Sequence, residues 1–215
     1  RACLIMNKIS KPHIIITGGG GYIGRSLIDF FLKIDTYKLS ILTTNLKKNE
    51  YNGVKFYKWK LGESFPSSIS EVDKKTTLIH LAHEWSDLKD NKLNINYSGT
   101  LKLFNTAKQS NVKNILFSSS ISSQRDANNV YGRIKSRIEE NINEDILVLR
   151  IGVIHGGFEK GQWGLIKKLC KISFLPMIGL TNRVHTIHIN DLCLNINNMI
   201  TQKFKFQNPV YLGSS

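Results

Sequence analysis

The sequence predicts an α/β protein built on a doubly wound parallel sheet with a small C-terminal substrate lobe. Three observations predict it. Short apolar runs alternate with amphipathic stretches between residues 13 and 150. The runs are apolar throughout, as strands covered on both faces are. A glycine cluster stands directly between the first apolar run and the first amphipathic stretch. Right-handed crossovers leave few topologies for such an order, and the doubly wound sheet is the simplest.

The elements follow in order. Residues 13–17 (HIIIT) read as a buried strand, and 21–34 as a helix with Ile23, Leu27, Phe30, Phe31 and Ile34 at helical spacing. Strands are expected at 39–43, 54–57 and 77–81, then a long helix at 91–110 with Leu93, Tyr97, Leu101, Phe104 and Ala107 on one side. A strand at 114–118, a helix at 130–143 and a strand at 146–150 complete the first part. Beyond residue 150 the pattern loosens: Gly156, Gly157, Gly161 and Gly164 mark a loop, followed by a short helix at 165–172. A strand at 184–187, a helix at 190–201 and a strand at 210–212 close the chain. The expected organisation is an N-terminal extension at 1–12, with Met6 as a candidate start, a dinucleotide-binding domain at 13–150, and a segment at 151–215 that completes the sheet and adds part of a substrate lobe.

Composition narrows the class. With 215 residues, 41% of them hydrophobic, the chain can bury a sizeable core. No apolar run approaches the roughly 18–20 residues that span a bilayer, and no secretory leader pattern is visible. Cys3, Cys170 and Cys193 are scattered and odd in number, which fits a reducing cytoplasm better than a disulfide framework. The net charge of +14 comes from lysines spread along the chain, and solvated lysines explain it better than a nucleic-acid-binding face.

Thr17-Gly18-Gly19-Gly20-Gly21-Tyr22-Ile23-Gly24 contains T-G-x-x-G-x-x-G after a strand and at the start of a helix, the context in which that spacing binds a dinucleotide. Gly18 permits the tight turn, Gly21 lets a pyrophosphate approach the backbone, and Gly24 lets the helix pack closely. Tyr22 and Ile23 then start the helix whose unpaired N–H groups face the phosphates. At the end of the second strand, where an acid usually holds the ribose, stand Thr43, Thr44 and Asn45, with Lys47 and Lys48 beyond. The missing acid, the nearby lysines and Arg25 lean the cofactor from NAD toward NADP.

Tyr131-Gly132-Arg133-Ile134-Lys135 is Y-x-x-x-K, which places Tyr131 and Lys135 one helical turn apart on one face. A lysine ammonium there favours the phenolate, whose ordinary pKa near ~10 is too high for base work at neutral pH. Ser118-Ser119-Ser120 ends a strand at the carboxyl edge, where open α/β sheets bind ligands.

Together these segments resemble the extended short-chain dehydrogenase/reductase superfamily, in particular the epimerase/dehydratase group that acts on nucleotide sugars. The resemblance rests on TGGGGYIG (17–24), LIHLAH (78–83), NYSGT (96–100), FSSS (117–120), YGRIK (131–135), LRIGVIHG (149–156) and IHINDL (187–192), in family order. It implies a Rossmann-type fold and a catalytic trio of Ser120, Tyr131 and Lys135, with Ser120 chosen as the last of the small-residue run. It further implies cofactor contacts at Leu81, Ala82, Asn96, Tyr131, Lys135 and Ile151 beside those of the glycine loop. His83 replaces a usual small residue and falls on the substrate side with Ser120, Trp163 and Arg183. Lys60-Leu61 stands where the family often has Asp-Leu near adenine, and the chain ends sooner than its relatives. The resemblance leaves a compact member and a missing C-terminal part equally open, and it implies dimerisation through the helices at 91–110 and 130–143.

Dehydratases of the group follow the active residue with an Asp-Glu pair; here Ile121 and Ser122 follow Ser120. Epimerisation through a transient ketone and reduction of a keto-sugar both remain, with a role in surface-polysaccharide assembly by analogy. The rival readings are a non-catalytic dinucleotide-binding regulator and, weaker, a nucleic-acid-binding protein. No metal is expected: the spacings of His80, His83, His155, His185 and His188 do not make a site, and the resemblance makes His80 and His188 structural. Trp59, Trp85 and Trp163 are read as packing residues.

Overall fold

The computed structural model describes residues 11–44, 51–70, 72–87, 89–157, 184–202 and 207–213. Its strands are β1 (His13–Thr17), β2 (Lys38–Thr43), β3 (Val54–Lys58), β4 (Thr77–His80), β5 (Asn114–Ser120), β6 (Ile146–Ile151), β7 (Val153–His155), β8 (Thr186–His188) and β9 (Val210–Leu212). Its helices are α1 (Tyr22–Ile34), α2 (Ile95–Gln109), α3 (Val130–Glu139) and α4 (Ile189–Thr201).

Seven strands form one sheet in the order β3-β2-β1-β4-β5-β6-β9, and every pairing in it is parallel. The chain winds outward from β1 through β2 and β3, then returns to the other side of β1 with β4. That reversal opens a crevice at the carboxyl ends of β1 and β4.

Alternate side chains of each strand enter opposite layers. Ile14 and Ile16 join Leu27, Ile28 and Phe31 of α1 and Leu192 and Ile196 of α4 on one face. Ile15 joins Leu103, Phe104 and Ala107 of α2 and Ile134 and Ile138 of α3 on the other. The helices α1, α3 and α4 each present one apolar stripe to these layers.

Several boundaries differ from the sequence expectation for local reasons. The second helix begins at Ile95, not near residue 91, because the Asn94 side chain accepts the Asn96 and Tyr97 N–H groups and sets the N-cap. Leu93 therefore lies outside the helix and is 79% exposed, contrary to its expected place on the packed side. β5 runs two residues further than expected, to Ser120, because its ladder with β6 continues through Ser119↔Arg150 and Ser120↔Ile151. α3 stops at Glu139, four residues short of the expected end. β7 and its parallel pairing with β8 were not visible in the sequence. The short helix expected at 165–172 lies outside the described residues. Among the described residues no helix is long and apolar enough to cross a membrane.

Candidate active site

The turn after β1 is shaped by glycine where glycine is required. Gly18 has φ +71°, and a Cβ there would lie 2.9 Å from the backbone nitrogen of Ala82. At Gly24 a Cβ would lie 2.5 Å from the Gly18 carbonyl oxygen and 2.7 Å from the Gly19 Cα, so α1 rests on the backbone of its own entry loop. Gly21 caps α1 without a side-chain hydrogen bond, and the first turn carries no acid. The start of α1 thus offers unscreened N–H groups and the positive end of the helix dipole to an anion.

A buried relay ties this loop to the neighbouring strand. The Thr17 hydroxyl accepts from the Leu81 and Ala82 N–H groups at 3.1 and 3.2 Å. With both lone pairs engaged, its proton goes to Nδ1 of His80 at 2.8 Å. His80 is therefore the Nε2–H tautomer and donates to Thr100 Oγ1 at 3.0 Å. Burial and the neighbouring Lys135 charge hold its pKa well below the ordinary histidine value, as the neutral relay requires. His188 is likewise structural: its Nδ1 accepts the Asn190 N–H and caps α4.

The loop after β4 is pinned from the far side. Asn96 Oδ1 accepts the Glu84 N–H at 2.7 Å, and its Nδ2 donates to the Glu84 carbonyl at 3.0 Å. Asn96 is 2% exposed and both ends of its amide are engaged, so it shapes the loop behind the crevice. The sequence reading gave Asn96 a cofactor contact; the structure places it behind the loop, with its amide on the Glu84 peptide.

α3 presents the second cluster. Asn129 caps it through the Gly132 N–H at 2.6 Å. A Cβ on Gly132 would lie 2.3 Å from the Ser122 carbonyl oxygen, so this glycine brings the helix against the loop after β5. Sequence reading passed over both residues, although an Asn directly before a helix start is a readable capping signal. Lys135 is buried, donates to the Ser118 carbonyl at 2.7 Å, and sits 4.6 Å from the Phe117 ring centroid and 5.6 Å from that of Tyr131.

The three serines diverge. Ser119 donates its hydroxyl to Glu139, which Arg150 also binds. Ser120 Oγ instead lies 2.9 Å from Ser122 Oγ and accepts the Ser122 N–H on the crevice side.

Burial dominates the electrostatics. It pushes the Tyr131 phenol up to about 12 and the Lys135 ammonium down to about 7. Lys135 and burial together hold His83 neutral, down to about 3. Burial thus raises the phenol, where the sequence reading had Lys135 favouring the phenolate, and the Lys135 ammonium is engaged by the Ser118 carbonyl. Between the lowered folded value of Lys135 and its ordinary value near ~10.4, the unfolded chain binds a proton that the folded chain does not. Stability contributed through this group therefore rises with pH across that window, and the full cost applies below it. Lys135→Met is expected to melt several degrees above wild type at about pH 6 and to lose the difference toward about pH 10.5. Equal shifts at both pH values in thermal unfolding would contradict the buried-charge account.

One crevice of about 1520 Å³ collects these groups. Gly18, Gly21, Tyr22, Ile23, Gly24, Thr43, Thr44, Leu81, Ala82, His83, Ser120, Tyr131, Lys135 and Ile151 all line it. Arg25 does not: its Nε donates to the Gly20 carbonyl at 3.0 Å. Trp163, Arg183, Lys47 and Lys48 lie outside the described residues. The tryptophans divide. Trp59 is packed at 3% exposure as expected, whereas Trp85 is 69% exposed and lies against Tyr131, correcting its reading as a packing residue. The glycine cradle, the open helix start and the absence of an acid there fit a dinucleotide pyrophosphate. Among the described residues no group of three His, Cys, Asp or Glu could hold a metal ion.

Solved structures share this architecture. UDP-N-acetylglucosamine 4-epimerase from Bacillus cereus superposes with TM-score 0.70 at 20% identity, covering 94% of this chain and 78% of that one. UDP-glucose 4-epimerase from Thermus thermophilus in complex with NAD gives 0.69 at 16% identity, with 94% and 78% covered. A human epimerase family protein with NADPH gives 0.65 at 15% identity, with 94% and 74% covered. No curated protein matches the sequence. The family model of the NAD dependent epimerase/dehydratase family matches residues 14–146, which hold the glycine cradle, the Thr17–His80 relay and the Tyr131–Lys135 turn. The chain belongs to the NAD-dependent epimerase/dehydratase family.

Proposed function

We propose that the chain is a cytoplasmic NAD(P)-dependent epimerase or keto-reductase acting on a nucleotide sugar. One observation carries the reading: Ser120, Tyr131 and Lys135 open into the same crevice as the glycine cradle. When bound, a nicotinamide dinucleotide supplies the acceptor and donor of hydride. Gly18 and Gly21 would admit its pyrophosphate to the start of α1, and Ile151, Leu81 and Ala82 line the same crevice, where they would wall its remaining length.

Tyr131 moves the proton of the reacting sugar hydroxyl, and Ser120 holds that oxygen in place. Lys135, fixed on the Ser118 carbonyl, keeps a positive charge beneath the phenol when protonated and so favours its ionised form. His83 faces the substrate as a neutral imidazole able to donate or accept one hydrogen bond. Dehydration would need a further acid and base where this chain has Ile121 and Ser122.

At the end of β2, Thr43 and Thr44 line the crevice together with Lys60, and the sequence has no Asp or Glu at the strand end, where a carboxylate would repel a 2′-phosphate. Calorimetric titration is expected to show NADP binding more tightly than NAD, and a nucleotide sugar binding to the loaded protein. A chain that takes dinucleotide but no nucleotide sugar would be a regulator, and the enzymatic reading would fall.

A further inference from the structure

The turn that follows β5 is anchored at both ends. The Ile121 N–H donates to the Ile151 carbonyl of β6 at 3.2 Å, and the Ser123 N–H donates to the Ser120 carbonyl at 2.9 Å. Between these anchors stands Ser122, which lines the crevice. Its carbonyl oxygen lies against Gly132, where even a Cβ would come within 2.3 Å, so Ser122 is seated on the first turn of the helix that carries Tyr131 and Lys135. Its N–H donates to Ser120 Oγ at 3.2 Å, and its own Oγ lies 2.9 Å from the same atom. One residue thus bridges Ser120 and the start of α3.

Hydrogen-bond counting decides what this bridge can do. A serine hydroxyl has one proton to give and two lone pairs to receive with. One lone pair of Ser120 already holds the Ser122 N–H. The bond between the two hydroxyls can then run either way. If Ser120 gives its proton to Ser122, it offers a ligand only a lone pair. If Ser122 gives instead, both lone pairs of Ser120 are filled and its proton is left for a ligand.

Resting on the reading of the crevice as a nucleotide-sugar site, we infer that Ser122 is a positioning residue for the hydride-transfer chemistry: it fills the second lone pair of Ser120 and commits the Ser120 hydroxyl to donate to the reacting sugar oxygen. That oxygen, with its proton on Tyr131 at the point of hydride transfer, has only lone pairs to offer and gains from a donor already aimed at it. A Ser120 lone pair in the same place would repel it. Without the Ser122 hydroxyl, Ser120 keeps one open lone pair, and its proton is free to rotate away from the substrate.

The test follows the absorbance of reduced nicotinamide after protein loaded with oxidised NAD or NADP is mixed with UDP-glucose, UDP-N-acetylglucosamine or dTDP-glucose. Ser122→Ala is expected to slow hydride transfer about five- to tenfold, with sugar-nucleotide affinity by calorimetry within about twofold of wild type. Ser122→Thr, which keeps the hydroxyl, is expected to stay within about twofold of wild type in both. The decisive comparison is made in the Ser120→Ala background. There the added Ser122→Ala change is expected to alter the rate by less than about twofold, because no Ser120 proton is left to direct. A full effect of Ser122→Ala in that background, or no effect on the rate in the wild type, overturns the inference. If the wild type neither binds nor oxidises any of the three sugar nucleotides, the nucleotide-sugar reading itself falls, and this role of Ser122 with it.

Discussion

Tyr131→Phe is expected to lower turnover by about 10²–10⁴-fold while dinucleotide affinity stays within about twofold of wild type. The phenyl ring keeps the stack with Trp85 and the edge contact with His83, so the crevice wall is preserved and only the transferable proton is removed. Formation or loss of reduced nicotinamide by absorbance, with the affinity measured separately, checks both halves. Wild-type turnover in this variant would remove Tyr131 from the chemistry, and lost dinucleotide affinity would assign it to binding.

The second large effect concerns the cradle. Gly24→Val forces a branched side chain into backbone atoms 2.5 and 2.7 Å from the first added carbon, and backbone cannot rotate away as a side chain can. Overpacking of this kind costs about 1–3 kcal/mol or more. In a chain of this size that lowers the melting midpoint by roughly 5–10 °C. Because α1 must shift off Gly18, dinucleotide binding is expected to be lost as well. Gly20 provides the internal contrast: a Cβ there meets nothing within 4 Å, so Gly20→Ala is expected to melt with the wild type. Equal melting of Gly24→Val and Gly20→Ala would show that the loop is not held as described.

Much of the site was legible because its signals are local. The turn at Gly18 needs a positive φ, the packing at Gly24 needs a missing side chain, and both appear as glycine at fixed spacing after an apolar run. Tyr131 and Lys135 share a face because helical periodicity alone puts them there, whereas Ser120 was singled out through the family resemblance, as the last of the small-residue run. The capping role of Asn129 was equally local and was overlooked. Asn96, by contrast, matched a family position that suggested a cofactor contact. Only the folded chain shows that both ends of its amide hold Glu84.

The sequence by itself determined the alternation of strands and helices, the parallel sheet, and the glycine loop that opens α1, because each depends on the chemistry of residues within one or two turns of one another. The tertiary structure alone decided that β7 pairs with β8, that β9 closes the sheet beside β6, and that Trp85 lies on the phenol instead of in the core. Those outcomes join segments far apart in the chain. Which surface an apolar ring meets across such a distance depends on packing and loop anchorage, and neither is written in local periodicity.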